Sequence, residues 1–270
     1  MSLTFTLIQS NLHWEDKTAN LEMFEKKIND IKEKTEVVIL PEMFSTGFSM
    51  NAAGLAESMD GMTVNWMKKM AIQKKIVLTG SLIIEEEDKY FNRLIWMLPN
   101  GQYGFYNKRH CFAFAGENEH YSPGNKRLIA SVKGWKINLQ ICYDLRFPVW
   151  ARQSCTSKSI ENEESKPEYD VLLYVASWPL SRNHAWKSLL VARAIENQCY
   201  VIGLNRVGKD GHQIQYNGDS MVIDPLGKII YQKAEEEDVF TITLEKENID
   251  QVRSIFPFWE DADKFIITNE

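Results

Sequence analysis

The sequence predicts an α/β fold in which two mixed β-sheets pack together and helices cover the outside. Three observations carry that expectation. Short apolar runs alternate with segments of helical period along much of the chain. Pairs of strands, rather than single strands, stand between the helices, which suits two packed sheets better than one doubly wound sheet. The last third reads as short antiparallel strands. No break in composition divides the 270 residues, so 1–270 is read as one domain.

Each element has its own signal. Residues 3–9 form a first strand, and 18–34 an amphipathic helix with Leu21, Phe24, Ile28 and Ile31 on one face. Residues 37–40 are a short buried strand that ends in Pro41-Glu42. Thr63 is expected to cap a second helix running to Lys75. Its lysines, in KKMAIQKK, read as a solvated face. Residues 76–84 and 90–98 look like paired strands, and Asn100-Gly101 makes a hairpin turn into 103–106. A polar loop, 109–126, precedes strands at 128–132 and 137–141. A helix is expected from Phe147, leading into the charged stretch KSIENEESKPE as a surface loop. Residues 171–176 are a continuous apolar strand, 185–197 a long helix and 200–204 another buried strand. Strands at 221–223, 229–231 and 239–244 and a C-terminal helix or tail complete the reading.

Bulk properties exclude several classes. The net charge of −6, from 31 basic and 37 acidic residues, argues against nucleic acid as a partner. No apolar run approaches the roughly 20 residues of a membrane span. The start, MSLTFTLIQSN, lacks the charged region and cleavage site of a secretory signal. Cys111, Cys142, Cys155 and Cys199 are scattered and form no CxxC, and the five histidines show no metal spacing. A cytoplasmic setting with reduced thiols follows, with no metal or other cofactor expected.

The stretch LQICYDLRFPVW poses the functional question, because Cys142 ends an apolar strand immediately before a polar turn. A side chain there points out of the carboxyl edge of the sheet, where nucleophiles are presented. The competing reading is a packed core thiol. Other strand ends carry chemistry too: VVILPE ends in Glu42, YGFYN leads to Lys108, and LLYVASW ends in Ser177 and Trp178. Taken singly, Glu42 would serve as a cap or ion-pair partner and Lys108 as a surface amine. Together they make a set for acyl transfer. A thiolate attacks, a carboxylate takes the thiol proton, and an ammonium steadies the oxyanion with a backbone N–H. A Cys–His pair using His110 or His184 remains open on spacing alone.

These segments, LPEMFSTGF, YNKRHCF and ICYDLRFP, resemble in content and order the three signature segments of the nitrilase superfamily of carbon–nitrogen hydrolases. The likeness covers nearly the whole chain. It implies a four-layer α-β-β-α sandwich and a thioester acyl-enzyme, with Glu42 as general base, Lys108 at the oxyanion, Cys142 as nucleophile and the backbone N–H of Tyr143 as second oxyanion donor. It implies a second glutamate in GENEHYSPG, where Glu117 is placed and Glu119 competes. Within the superfamily, PEMFSTGFSM, SWPLSRNHAWKSLLVARAIENQCYVIGLNRVGKDG and YNGDS are most similar to the omega-amidase branch. That implies a small 2-oxo acid amide, such as 2-oxoglutaramate or 2-oxosuccinamate, as substrate. It also implies a homodimer whose interface includes FPVWARQSC. Arg182 is the candidate for the substrate carboxylate, and Phe48 and Trp178 for apolar walls. Asp144 and Arg146 are expected to pair and fix the nucleophile turn. The charged insertion, 157–168, departs from the branch pattern. Alternatives sharing the fold are a nitrile or N-carbamoyl hydrolase and a catalytically silent binding protein.

Overall fold

The computed structural model describes residues 1–153, 167–263 and 265–268. The chain opens with β1 (Ser2–Gln9), α1 (Lys17–Asp30), β2 (Val37–Ile39), the single turn α2 (Ala52–Leu55) and α3 (Met62–Lys74). A meander β3 (Val77–Glu86), β4 (Lys89–Met97) and β5 (Tyr103–Asn107) follows. Then come the short helix α4 (Glu117–His120), β6 (Ile129–Val132), β7 (Trp135–Ile141) and the one-turn helix α5 (Pro148–Ala151). The remainder is β8 (Val171–Ala176), α6 (Asn183–Asn197), β9 (Tyr200–Asn205), β10 (Val207–Lys209), β11 (Gln215–Ile223), β12 (Ile229–Ala234), β13 (Asp238–Glu245) and α7 (Lys246–Ile255).

The strands form two mixed sheets. One runs β13-β1-β2-β3-β4-β5, and the other β10-β11-β9-β8-β7-β6 with β12 also on β11. In the first sheet β1, β2 and β3 are parallel neighbours; in the second, β7, β8 and β9 are. The alternation in β1 shows how layers arise from period two. Leu3, Phe5 and Leu7 join Ile137, Leu139, Ile141 and the β8 residues in the core between the sheets. Ile8 and Val38 face the other way, onto Phe24 and Ile28 of α1 and Met67 and Met70 of α3. Trp186, Leu190 and Ala194 cover the second sheet from α6. Gly203 in β9 admits that helix closely, since a β-carbon there would stand 2.5 Å from Leu190 Cδ1. The arrangement is the expected α-β-β-α sandwich.

Several local expectations change. Helix α1 stops at Asp30, so Ile31 packs against the core from just beyond the helix. Thr63 does not cap α3. Gly61 is the cap residue, and the Glu57 carboxylate accepts from the Thr63 N–H at 3.1 Å. Carboxylates suit such a helix start because its first N–H groups lack partners. The helix expected from Phe147 is only one turn long. Residues 154–166, with Cys155 and most of the charged insertion, lie outside the described residues. β13 leaves its sequence neighbours and pairs with β1 across the molecule.

Candidate active site

The strand ends that carry Cys142, Ser177 and Glu42 converge from two sheets. β7 and β8 are adjacent in the second sheet and deliver Cys142 and Ser177; β2 belongs to the first sheet and delivers Glu42 from the facing side. Lys108 follows the edge strand β5, and its N–H donates to the Asn92 carbonyl of β4 at 2.9 Å. The site therefore lies where the ends of two sheets meet.

Cys142 opens a tight 3₁₀ turn, Cys142–Arg146, and has φ +44°. A non-glycine residue in this left-handed region is strained and needs support from around it. Asp144 supplies that support from full burial. Its Oδ2 accepts from the Ile141 N–H at 3.0 Å and the Tyr106 hydroxyl at 2.7 Å. Its Oδ1 accepts from the His110 N–H at 3.0 Å and meets His110 Nδ1 at 2.8 Å. Asp144 is thus the backbone-bonding support expected of it, but Arg146 is not its partner. Arg146 instead lies over the Trp178 ring, 4.9 Å from its centroid. The Tyr143 N–H sits in the first turn, where a helical segment leaves its N–H groups without internal partners.

Lys108 Nζ sits between two buried carboxylates, 2.9 Å from Glu42 Oε1 and 2.9 and 2.8 Å from the two oxygens of Glu117. Two of its contacts go to one carboxylate, so one hydrogen can turn to a new oxyanion while both ion pairs persist. Asn92 Nδ2 donates to Glu42 Oε1 at 2.8 Å and to Glu117 Oε1 at 3.3 Å. The Phe112 N–H donates to Glu117 Oε2, and the Ser177 N–H to Glu42 Oε2 at 2.8 Å. A carboxylate has about four lone-pair positions. Glu117 has all four filled by donors. Glu42 has three filled. Glu42 thus keeps a spare lone-pair position that Glu117 lacks.

The electrostatics agree. Burial pushes the Cys142 thiol well above its ordinary pKa, the Glu42 charge adds to that, and Lys108 opposes it. These influences favour the neutral thiol over the thiolate. Burial disfavours the Lys108 ammonium, but Glu117, Glu42 and Cys142 outweigh that and hold its pKa well above the usual lysine range. Burial raises the Glu117 pKa against the pull of Lys108, with the Glu42 charge adding to the rise.

Cys142 and Lys108 open onto a cavity of about 250 Å³. Phe48, Tyr143, Trp178 and Arg182 also line it, as does Arg146, which sequence reasoning had assigned to structure. Phe48 lies under Lys108, 5.2 Å from Nζ to the ring centroid. Trp178 is held by Nε1–H donation to the Arg182 carbonyl at 2.9 Å. Arg182 is half-buried, and its guanidinium stands over Phe112 at 5.2 Å and Phe114 at 5.0 Å. Glu119 is exposed and makes no part of the cluster. The Cys–His alternative is not met, because His110 faces Asp144 and His184 is exposed on α6.

Residues 4–254 match the carbon-nitrogen hydrolase family. The chain belongs to the carbon-nitrogen hydrolase family. Its reaction class is accordingly hydrolysis of carbon–nitrogen bonds. Omega-amidase YafV of Escherichia coli is 42% identical over 264 residues, covering 97% of this chain and 98% of that protein. The 2-oxoglutaramate amidase of Bacillus subtilis is 30% identical, covering 98% and 99%. The crystal structure of a CN-hydrolase superfamily protein from Xanthomonas campestris, with an arsenic adduct in its active site, superposes with a TM-score of 0.95. It is 41% identical, covering 99% of this chain and 100% of that one. Among the described residues of this carbon-nitrogen hydrolase, no helix is long and apolar enough to cross a membrane.

Proposed function

We propose that this carbon-nitrogen hydrolase is an omega-amidase, releasing ammonia from the terminal amide of a small 2-oxo acid amide such as 2-oxoglutaramate or 2-oxosuccinamate. One observation carries the chemistry. Cys142 and Lys108 line one cavity, backed by the buried Glu42 and Glu117, and the same cavity carries two guanidiniums, Arg146 and Arg182. The thiol proton passes to Glu42 as sulfur attacks the amide carbon, and the carbonyl electrons move onto oxygen. Lys108 and the Tyr143 N–H stabilise that oxyanion. Glu42 then gives the proton to the departing nitrogen, the C–N bond breaks and ammonia leaves a thioester. Water, deprotonated by Glu42, attacks the thioester, and the thiol is regenerated with the carboxylate product. Glu117 anchors Lys108 throughout.

The selectivity follows from charge. A 2-oxo acid amide carries a free carboxylate away from the reacting amide. A guanidinium fork pairs with it bidentately. Arg182 is the residue we assign to this, with Phe48 and Trp178 as walls. We further infer that residues 1–270 act as one catalytic domain in a cytoplasmic homodimer, with the helix α5 at its interface. Val149, an exposed apolar residue on that helix, supports this.

The test is ammonia release from 2-oxoglutaramate beside release from uncharged short amides. A strong preference for the charged substrate is expected. Equal rates on both would sink the omega-amidase reading and leave only a general amidase.

A further inference from the structure

The strand β4 reads YFNRLIWM from Tyr90 to its end, an apolar run interrupted by Asn92 and Arg93. Arg93 is explained by Glu86, 2.6 Å from its guanidinium, and by Asn107. Asn92 is not explained by the fold. It is 1% exposed, and its Oδ1 is buried with no hydrogen-bond partner, a costly arrangement that a simple apolar side chain would avoid. Its Nδ2 reaches both carboxylates of the cluster, and its carbonyl accepts from the Lys108 N–H. One residue therefore touches three members of the site, from a strand that contributes nothing else to it.

The lone pairs of Glu42 show what this does. Oε1 already takes Lys108 at 2.9 Å and Asn92 at 2.8 Å, both donors without acceptor capacity. Oε2 takes only the Ser177 N–H at 2.8 Å and keeps one position open. We propose that Asn92 is a positioning residue that fills the second lone pair of Glu42 Oε1 and so directs the Cys142 proton to Oε2. In that step the S–H bond breaks, its proton binds Oε2, the sulfur pair forms the S–C bond, and the carbonyl pair moves onto oxygen. Oε2 remains tethered to β8 through Ser177, so the acceptor is held at the strand end beside the nucleophile turn. Without Asn92, Oε1 has a vacant lone pair 2.9 Å from Lys108, and the carboxylate has two competing protonation sites.

This rests on the assignment of Glu42 as base, so the experiment must separate the two. Iodoacetamide alkylation of Cys142, followed against pH in the whole enzyme, needs no amide substrate and reads the base directly. Glu42→Gln gives the reference in which the base is absent. Loss of the acid limb in that variant is required for the base assignment itself. Asn92→Leu keeps the branched outline of the side chain and removes the donor. A carboxylate that loses a donor gains proton affinity, so the acid limb of alkylation and of kcat/KM for 2-oxoglutaramate should move up by roughly one to two pH units. At neutral pH kcat should fall about 10- to 100-fold with KM changed far less. Asn92→Asp keeps the shape but sets a third carboxylate against the pair, and should move the limb further in the same direction. Where Asn92→Leu fails to fold, Asn92→Ala, which removes the donor without adding a charge, is read in its place. A fold-preserving variant that loses rate equally at every pH, or loses none, overturns the proposal, because a merely structural asparagine would leave the limb where it was.

Discussion

The buried cluster and the cavity rim are built by opposite means. Glu42, Lys108, Glu117 and Asn92 are at most 1% exposed and are fixed by at least three hydrogen bonds to each carboxylate. Arg182, Phe112 and Phe114 sit partly or fully exposed and meet one another through stacking. The contrast has a physical basis. Charges out of water are tolerated only when paired and saturated, so any loosening of the cluster is costly. A rim in water has no such penalty and can change its residues at little cost to the fold. Chemistry is therefore placed where variation is punished, and substrate preference where it is not. Substitutions should follow that gradient from the cluster outward.

The largest effects belong to Cys142 and Glu42. Glu42→Gln keeps the size but cannot take a proton, and it turns an amide N–H₂ toward Lys108 or Ser177. Both half-reactions need the acceptor, so turnover should fall about 10⁴-fold, the upper end for a general base. Burst kinetics would check this: no acyl-enzyme should accumulate. Cys142→Ala should abolish turnover altogether while circular dichroism stays native. Alkylation of Cys111 or Cys199, with Cys142 left free, accompanied by inactivation would break the assignment.

Lys108→Met should cost about 10²–10³-fold in acylation, as removal of an oxyanion donor does. It also leaves two carboxylates facing each other without a counter-charge. Breaking a buried pair costs about 3–5 kcal/mol, which thermal unfolding would detect. The pH dependence has a definite sign. The folded pKa of Cys142 is raised above 9.0 and that of Lys108 above 10.5, so both favour the native state below those values. Their contribution should be lost as the pH rises from about 9 upward. Cys142→Ala should flatten the first part of that decline and Lys108→Met the later part. A wild-type stability that is level up to pH 11 would contradict both.

The same contrast governs what could be read from the sequence. Cys142, Glu42 and Lys108 announced themselves as polar residues closing apolar runs. Local order sufficed, because strand ends are visible in a one-dimensional pattern. The pairing of strands was less legible. Nothing local says that β2 faces β7 and β8 from another sheet, or that β13 returns to β1, since such partners are set by tertiary packing. Asn92 was missed because it interrupts an apolar run in mid-strand, where a lone polar residue reads as noise. A buried asparagine beside an arginine in a central strand is the signal that could have found it. Asp144 and Arg146 share one short turn, which suggests a pair, but their side chains leave it in different directions, Asp144 to Tyr106 and His110 and Arg146 to Trp178. Thr63 offered the usual capping chemistry, but a longer carboxylate from Glu57 reached the helix start first.

At the rim, Arg182→Met should raise KM for 2-oxoglutaramate about tenfold and leave turnover of an uncharged amide nearly unchanged. The figure corresponds to about 1.4 kcal/mol, near the lower end for a hydrogen bond to a charged group, as befits a half-buried guanidinium. Steady-state kinetics on the two substrates decide it. An equal loss on both would mark the Arg182 side chain as a structural support of the rim, through its contacts with Phe112 and Phe114.

Phe114→Ala should have the smallest effect and sharpens the comparison most. The ring is 82% exposed, and its centroid is 5.0 Å from the Arg182 guanidinium. An exposed cation–π contact is worth about 0.5–1 kcal/mol. If Phe114 does no more than steady Arg182, its removal should raise KM for the charged substrate about two- to fivefold and leave kcat alone. Phe112 stacks on the same guanidinium, but its backbone N–H also anchors Glu117 and its ring lies 4.9 Å from that of Tyr143. Phe112→Ala keeps the N–H yet frees the segment that carries it, so kcat should fall along with the rise in KM. The pair of variants thus tests where the cluster ends and the rim begins. If Phe114→Ala lowers kcat as much as Phe112→Ala does, the boundary is false: the exposed rim would then be part of what holds Glu117, and through it Lys108, in place.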